Sequence, residues 1–232
     1  MAEVKHPVRH RSENEQVIER ARDFWTKYGK MTTIIAAAII ILGGAWLAYK
    51  YMIVQPKEQK AADAIWKAQE YFAQDSLEKA LKGDGQAPGF EKIASLYSGT
   101  DAGELANFYA GAIALKLGDN NKAIKYLKAF NTDAHQVQAR AYKLLADAYA
   151  NNGKNSDALN NYKKAAHEFE KDKNNASEYL MMAAYFADRV MDDKKQAEEL
   201  YKEIKGKYPG TQASDEADKY LAQMGIYKVE EK

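Results

Sequence analysis

Nineteen consecutive residues, Met31 to Tyr49, carry no charge, and Ile34, Ile35, Ile39, Ile40, Ile41 and Leu42 lie at their centre. Only Lys50 separates them from a further apolar group, Tyr51 to Val54. About 20 apolar residues at 1.5 Å each cross a hydrocarbon layer of roughly 30 Å, and a backbone inside it has to satisfy its own hydrogen bonds. Residues 31–54 therefore predict one transmembrane helix. Lys50 sits near its end, where an ammonium reaches the headgroups, and Trp46, Tyr49 and Tyr51 form the aromatic belt of an interface. A cleaved secretory signal fits less well. Its apolar core spans roughly 7–15 residues and ends at small side chains, whereas here the core is longer, thirty residues precede it, and Trp46 to Val54 is bulky.

The span divides the chain into a short arm and about 180 residues that suffice for one soluble domain. The arm carries seven Lys and Arg against five acids, while residues 52–232 carry 26 basic and 28 acidic side chains. A nearly neutral large part argues against nucleic-acid binding, which needs a concentrated basic surface. The basic arm predicts a cytoplasmic N-terminus and places the large domain across the membrane. With no cysteine, disulfides and thiol chemistry are excluded and the domain has to be held by its core.

Residues 1–11 lack an apolar period and read as a tail, and His6 and His10 have no carboxylate or cysteine partner nearby. Ser12 followed by Glu15 has the form of a capping box. From there Val17, Ile18, Ala21, Phe24, Trp25 and Tyr28 recur at helical spacing, with Arg20, Arg22, Asp23 and Lys27 largely opposite. This predicts an amphipathic juxtamembrane helix over 12–30, lying in the interface or docking on a membrane partner. Within the span Ala37, Gly44 and Ala48 share one face, where small residues let a second transmembrane helix approach. Pro56 predicts a break after the span and the first turn of the next helix.

Beyond Pro56, Ala61, Ile65, Ala68 and Phe72 form a helical stripe. A short segment from Ser76 to Leu81 follows, then a Gly/Pro loop at 83–89 and a helix carrying Phe90, Ile93, Ala94 and Tyr97. The loop lacks the spacing and the preceding strand of a phosphate-binding turn. From Glu104 the chain repeats. Gly118 aligns with Gly153 and Ala123 with Ala158 at a period of 35, and a third copy around Ala197 to Pro209 falls 39 residues later. At these residues the chain resembles the tetratricopeptide repeat, a helix–turn–helix unit of about 34 residues. The predicted fold is therefore all-α: one transmembrane helix, then a tetratricopeptide-repeat solenoid over 55–232. Its best repeats are 104–137, 138–174 and 175–210, and its cap helix 211–224 buries Ala213, Ala217, Tyr220 and Leu221. Phe130, where the motif prefers Ala, and Asp192, where it prefers Gly, depart from the pattern.

The order of arm, span and repeats, with Glu13 to Val17 followed by Phe24–Trp25 and Gly29–Lys30, is similar to the YfgM-like family of ancillary SecYEG translocon subunits. That resemblance implies a single-pass inner-membrane protein with a periplasmic repeat domain. Its implied partners are Sec translocon subunits, a membrane-anchored periplasmic prolyl isomerase and secreted chains, and its implied role is helping their handover or folding. A generic membrane-tethered adaptor or self-assembling scaffold has the same architecture.

No catalytic, cofactor or metal constellation is present in the sequence. His135 and His167 stand singly on their repeats, and the carboxylate pairs Glu198–Glu199 and Asp215–Glu216 are adjacent in sequence and diverge on a helix. Protein binding on a concave groove is the expectation, without a small-molecule substrate. Stacked helix pairs present the first helix of each repeat to such a groove. Counting from the small residue of each first helix, the lining is Phe108 and Lys116; Arg140, Lys143, Asp147 and Asn151; and Tyr179, Met182, Phe186 and Arg189. Aromatic and Met side chains suit extended or partly unfolded segments.

Overall fold

A computed structural model describes residues 13–169 and 171–227. The expected tail at 1–11 and the capping hydroxyl of Ser12 lie outside them. Among the described residues the chain is all-helical, with eleven α-helices, one π-helical turn and no β-strand. It divides into two compact units, Met1–Pro56 and Lys57–Lys232.

The first unit is built on α1, Glu13–Tyr49, a single helix of 37 residues. One helix among the described residues is thus long and apolar enough to cross a membrane. α1 passes through Lys30 and Met31 unbroken, so the expected juxtamembrane helix over 12–30 and the span from 31 run on as one continuous helix. No proline interrupts it, and the ring of Trp25 packs 3.5 Å from where a Cβ on Gly29 would stand. Its apolar side chains face outward, Ile40 being 73% and Leu42 70% exposed. The hydroxyls at its start donate back to the helix, Thr32 Oγ1 to the Tyr28 carbonyl at 2.9 Å and Thr33 Oγ1 to that of Gly29 at 2.7 Å, which hides them within an apolar stretch.

The expected break at Pro56 is also absent. Lys50–Val54 forms a π-helical turn, closed by the Gln55 N–H donating to the Lys50 carbonyl, and Tyr49 and Gln55 both keep helical dihedrals. Pro56 then occupies the first turn of α2, Gln55–Ala73. In a regular α-helix the proline ring collides with the carbonyl four residues back.

In the second unit α2 buries Ala61, Ile65 and Ala68 and is followed by α3, Leu77–Lys82, and α4, Phe90–Leu96. The Gly83–Gly89 loop between them folds around Asp84, which accepts from the Tyr71 hydroxyl at 2.6 Å and from the N–H groups of Gln86 and Ala87 at 2.9 and 2.7 Å. Seven longer helices complete the unit: α5 Asp101–Lys116, α6 Asn120–Ala129, α7 His135–Asn151, α8 Asn155–His167, α9 Lys173–Arg189, α10 Lys194–Lys207 and α11 Gln212–Gln223. They pack in sequence, α5 on α6, α7 on α8 and α9 on α10, with α6–α7, α8–α9 and α10–α11 joining the pairs. One apolar cluster joins α2 to α5, and a second runs from Phe108 to Leu221.

The local chemistry of these helices follows the residues. Thr100, Asp119, Asp172, Asp193 and Thr211 each accept backbone N–H groups at the starts of α5, α6, α9, α10 and α11, removing orphan donors. The turns after α5, α7 and α9 take a left-handed residue: Gly118 at φ +81°, Gly153 at +70° and Asp192 at +53°. Aspartate therefore adopts at the third turn the conformation that glycine takes at the other two, and Asp tolerates it better than most residues. Where α5 crosses α6, a Cβ on Gly111 would stand 2.5 Å from Leu127 Cγ, so only glycine lets these helices approach this closely. Ala146, Ala123 and Ala158 are fully buried.

Candidate functional site

One cleft of the second unit opens between α7, α9 and α11, with Tyr162 of α8 also lining it, and has a volume of about 580 Å³. From α7, Lys143 and Asp147 face it, joined as an i,i+4 ion pair at 2.8 Å. Tyr162 of α8 donates its hydroxyl to the other oxygen of Asp147 at 2.6 Å. Burial, and then the Asp147 carboxylate accepting that hydrogen bond, push the Tyr162 phenol up from its usual range. One carboxylate thus ties α7 to α8 and offsets the charge of Lys143.

The apolar wall comes from α9. Met181, Met182, Tyr185, Phe186 and Val190 line the cleft, their spacing keeping them along one side of the helix. Phe186 packs on the Tyr162 ring at 5.4 Å. The opposite wall is Gln212, Ala213, Glu216 and Tyr220 of α11, a helix set by the left-handed Gly210 and the Thr211 cap. Tyr220 stacks on buried Tyr201 at 5.1 Å and meets the edge of Tyr185 at 6.3 Å. Among the described residues the Tyr201 hydroxyl has no hydrogen-bond partner, and burial, then the charge of Asp188, pushes its phenol up. Of the seven exposed large apolar residues described beyond Pro56, Met182, Tyr185 and Val190 are three, so exposed apolar surface collects here.

Four of the expected groove residues, Lys143, Asp147, Met182 and Phe186, meet in this cleft. The others lie elsewhere. Phe108 is corrected from groove to core: it is 8% exposed and packs against Phe130 at 5.4 Å, because α5 turns that ring toward α6 and not outward. Lys116 pairs with Asp75 at 2.9 Å. Asn151 donates to Asn120 at 3.3 Å. Arg140 is exposed. Tyr179 stacks on Phe169 at 5.8 Å, and burial raises its phenol. Arg189 pairs with the buried Asp188 at 3.0 Å and sits 5.9 Å from the centroid of Tyr220. On α1, Ala37, Gly44 and Ala48 are exposed, and nothing lies within 4 Å of a Cβ placed on Gly44.

The expectation from the repeats omitted α11, treated as a cap, along with Tyr162, Glu178, Met181, Tyr185 and Val190. The i, i+4, i+8 spacing of Gln212, Glu216 and Tyr220 and the close-set Met181, Met182, Tyr185 and Phe186 were the available signals. His135 is paired with Glu168, Nδ1 to Oε2 at 3.0 Å. Among the described residues no group of three His, Asp or Glu could hold a metal ion.

Fold and site together define an all-helical chain that combines one helix long and apolar enough to span a membrane with a unit of packed helices carrying an apolar, acid-rimmed cleft. The chain matches no protein-family model and no curated protein.

Proposed function

We propose that the chain is a single-pass inner-membrane protein whose residues 55–232 form a periplasmic tetratricopeptide-repeat domain. That domain binds polypeptide at or near the Sec translocon, in company with a membrane-anchored prolyl isomerase, and assists the handover or folding of secreted chains. The observation that carries the reading is the cleft of α7, α9 and α11, an adaptable surface of two Met, three Tyr and one Phe. The 35-residue spacing of Gly118 and Gly153 and the successive packing of helix pairs support the repeat assignment.

The span has a natural register. Trp25, Lys27 and Tyr28 mark one end and Trp46, Tyr49 and Lys50 the other, with Lys27 standing 5.4 Å from the Tyr28 ring centre and Lys50 5.2 Å from that of Trp46. The 22 residues from Tyr28 to Tyr49, 21 steps of about 1.5 Å, rise about 32 Å, the thickness of a hydrocarbon core. The basic residues before this register favour a cytoplasmic N-terminus.

Photo-crosslinkers at Met182, Tyr185 and Ile40 in intact membranes, followed by mass spectrometry, test the function. Translocon subunits and secreted chains are the expected captures; recovery of the chain's own copies alone replaces the reading with a self-assembling scaffold. For orientation, the absence of native cysteine makes Arg20→Cys and Ser156→Cys clean reporters. An impermeant maleimide applied to spheroplasts labels only the second, and labelling of the first alone reverses the topology.

A further inference from the structure

The charge on the cleft is lopsided. Four ionisable side chains of the usual acid and base types line it: Lys143 against Asp147, Glu178 and Glu216. The Lys143 ammonium is held by Asp147 at 2.8 Å, so these two cancel. Glu178 is exposed and Glu216 half-buried, and among the described residues neither makes an ion pair. The polar contact of Glu216 is with the neutral Gln212 amide at 3.2 Å, which orients the carboxylate without neutralising it. Beside these acids lie aromatic faces, and one of them already accepts a cation from its own chain, with Arg189 Cζ 5.9 Å from the Tyr220 centroid.

We propose that the cleft selects polypeptide segments in which an aromatic or large aliphatic side chain stands beside Lys or Arg. The apolar group seats against Met182 and Tyr185, and the cation faces Glu178 and Glu216. This rests on the reading of the domain as a polypeptide binder and deepens it by naming the class of segment. The physical basis is complementarity. A cationic segment gains two uncompensated carboxylates and the exposed ring of Tyr185, whereas an anionic segment of the same shape meets those carboxylates as like charges.

The test uses the full chain in detergent or nanodiscs and three fluorescein-labelled nonapeptides, identical in their Phe and Leu positions, with two flanking residues that are both Lys, both Gln or both Glu. Anisotropy at low salt is expected to rank them Lys, Gln, Glu, with about tenfold or more between the first and last, and the gap is expected to shrink as salt rises. The double variant E178Q/E216Q, near-isosteric at the cleft, is expected to close the gap between the Lys and Glu peptides. Its helicity and unfolding midpoint, compared with those of the native chain, verify that it folds. Equal binding of all three peptides, or a gap that persists in E178Q/E216Q, overturns the charge selection and leaves polypeptide binding standing. Binding of none of the three overturns both.

Discussion

Gly111→Ala is the most informative single substitution, because two opposing effects of known size act at one atom. In a helix interior alanine is favoured over glycine by about 0.5–1 kcal/mol. At Gly111 the added methyl would lie 2.5 Å from Leu127 Cγ, 3.0 Å from its Cδ2 and 3.1 Å from its backbone nitrogen. Leu127 is 2% exposed and cannot swing into solvent. Overpacking of this kind costs about 1–3 kcal/mol, so packing wins and the net loss is about 1 kcal/mol. Gly206→Ala supplies the control: it lies in α10 with nothing within 4 Å of the new methyl and is expected to gain about 0.5 kcal/mol from propensity alone. In a Leu127→Ala background the two side-chain contacts are gone and only the backbone nitrogen at 3.1 Å remains close. Leu127→Ala by itself costs about 2–5 kcal/mol, and adding Gly111→Ala to it is expected to stabilise, giving a coupling of about 2 kcal/mol between the sites. Urea unfolding of the full chain in detergent, followed by far-UV circular dichroism, measures each midpoint at constant slope. A Gly111→Ala protein as stable as the native one, with no coupling to Leu127, would refute the close α5–α6 crossing.

Three further outcomes follow from particular residues. Asp192→Gly relieves a left-handed backbone at the cost of one exposed ion pair to Lys194 and is expected to gain about 0.5 kcal/mol, whereas Gly153→Ala, at φ +70°, is expected to lose about 1 kcal/mol; thermal melts rank the two. The Tyr71 hydroxyl, then the Ala87 and Gln86 N–H groups, hold the Asp84 carboxyl at about 2, below the unfolded value of about 3.9. Its contribution is therefore complete above pH 4 and is lost as pH falls from about 4 through about 2, so Asp84→Asn is expected to flatten that part of the stability–pH curve, and an unchanged slope removes the assignment. Cysteine crosslinks in membranes from Gly44 and Ala48 to a partner helix are expected to exceed those from Ile40, since the open backbone at Gly44 admits the closer approach; equal yields dismiss the small-residue face.

The groove illustrates how packing sorts residues that a repeat pattern treats alike. Counting from the small residue of each first helix assigns Phe108 and Phe186 equivalent places, and both are buried, at 8% and 6% exposed; Phe108 closes on Phe130, while Phe186 packs on Tyr162 at the inner wall of the cleft. The difference lies in the neighbours. Phe130, a departure from the repeat pattern, fills the space beside α5, and α11 stands off α9 far enough to leave a cavity. Similarly, Pro56 is a helix breaker by its own chemistry, but a π-helical turn five residues long carries the helix through it.

What the chain alone determined is what depends on near neighbours in sequence. The uninterrupted apolar stretch from Met31 requires a helix able to cross a membrane, the 3.6-residue periods specify the later helices, and the turns at Gly118 and Gly153 follow from residue type. These are short-range energies that survive almost any tertiary setting. Only the tertiary structure decided which apolar side chains stay uncovered. It aligned the Met182 and Tyr185 face of α9 with the Glu216 and Tyr220 face of α11, and it neutralised Lys143 with Asp147 while leaving two other carboxylates unpaired. Exposure and charge balance at a cleft are sums over several helices, so no window of one helix contains them.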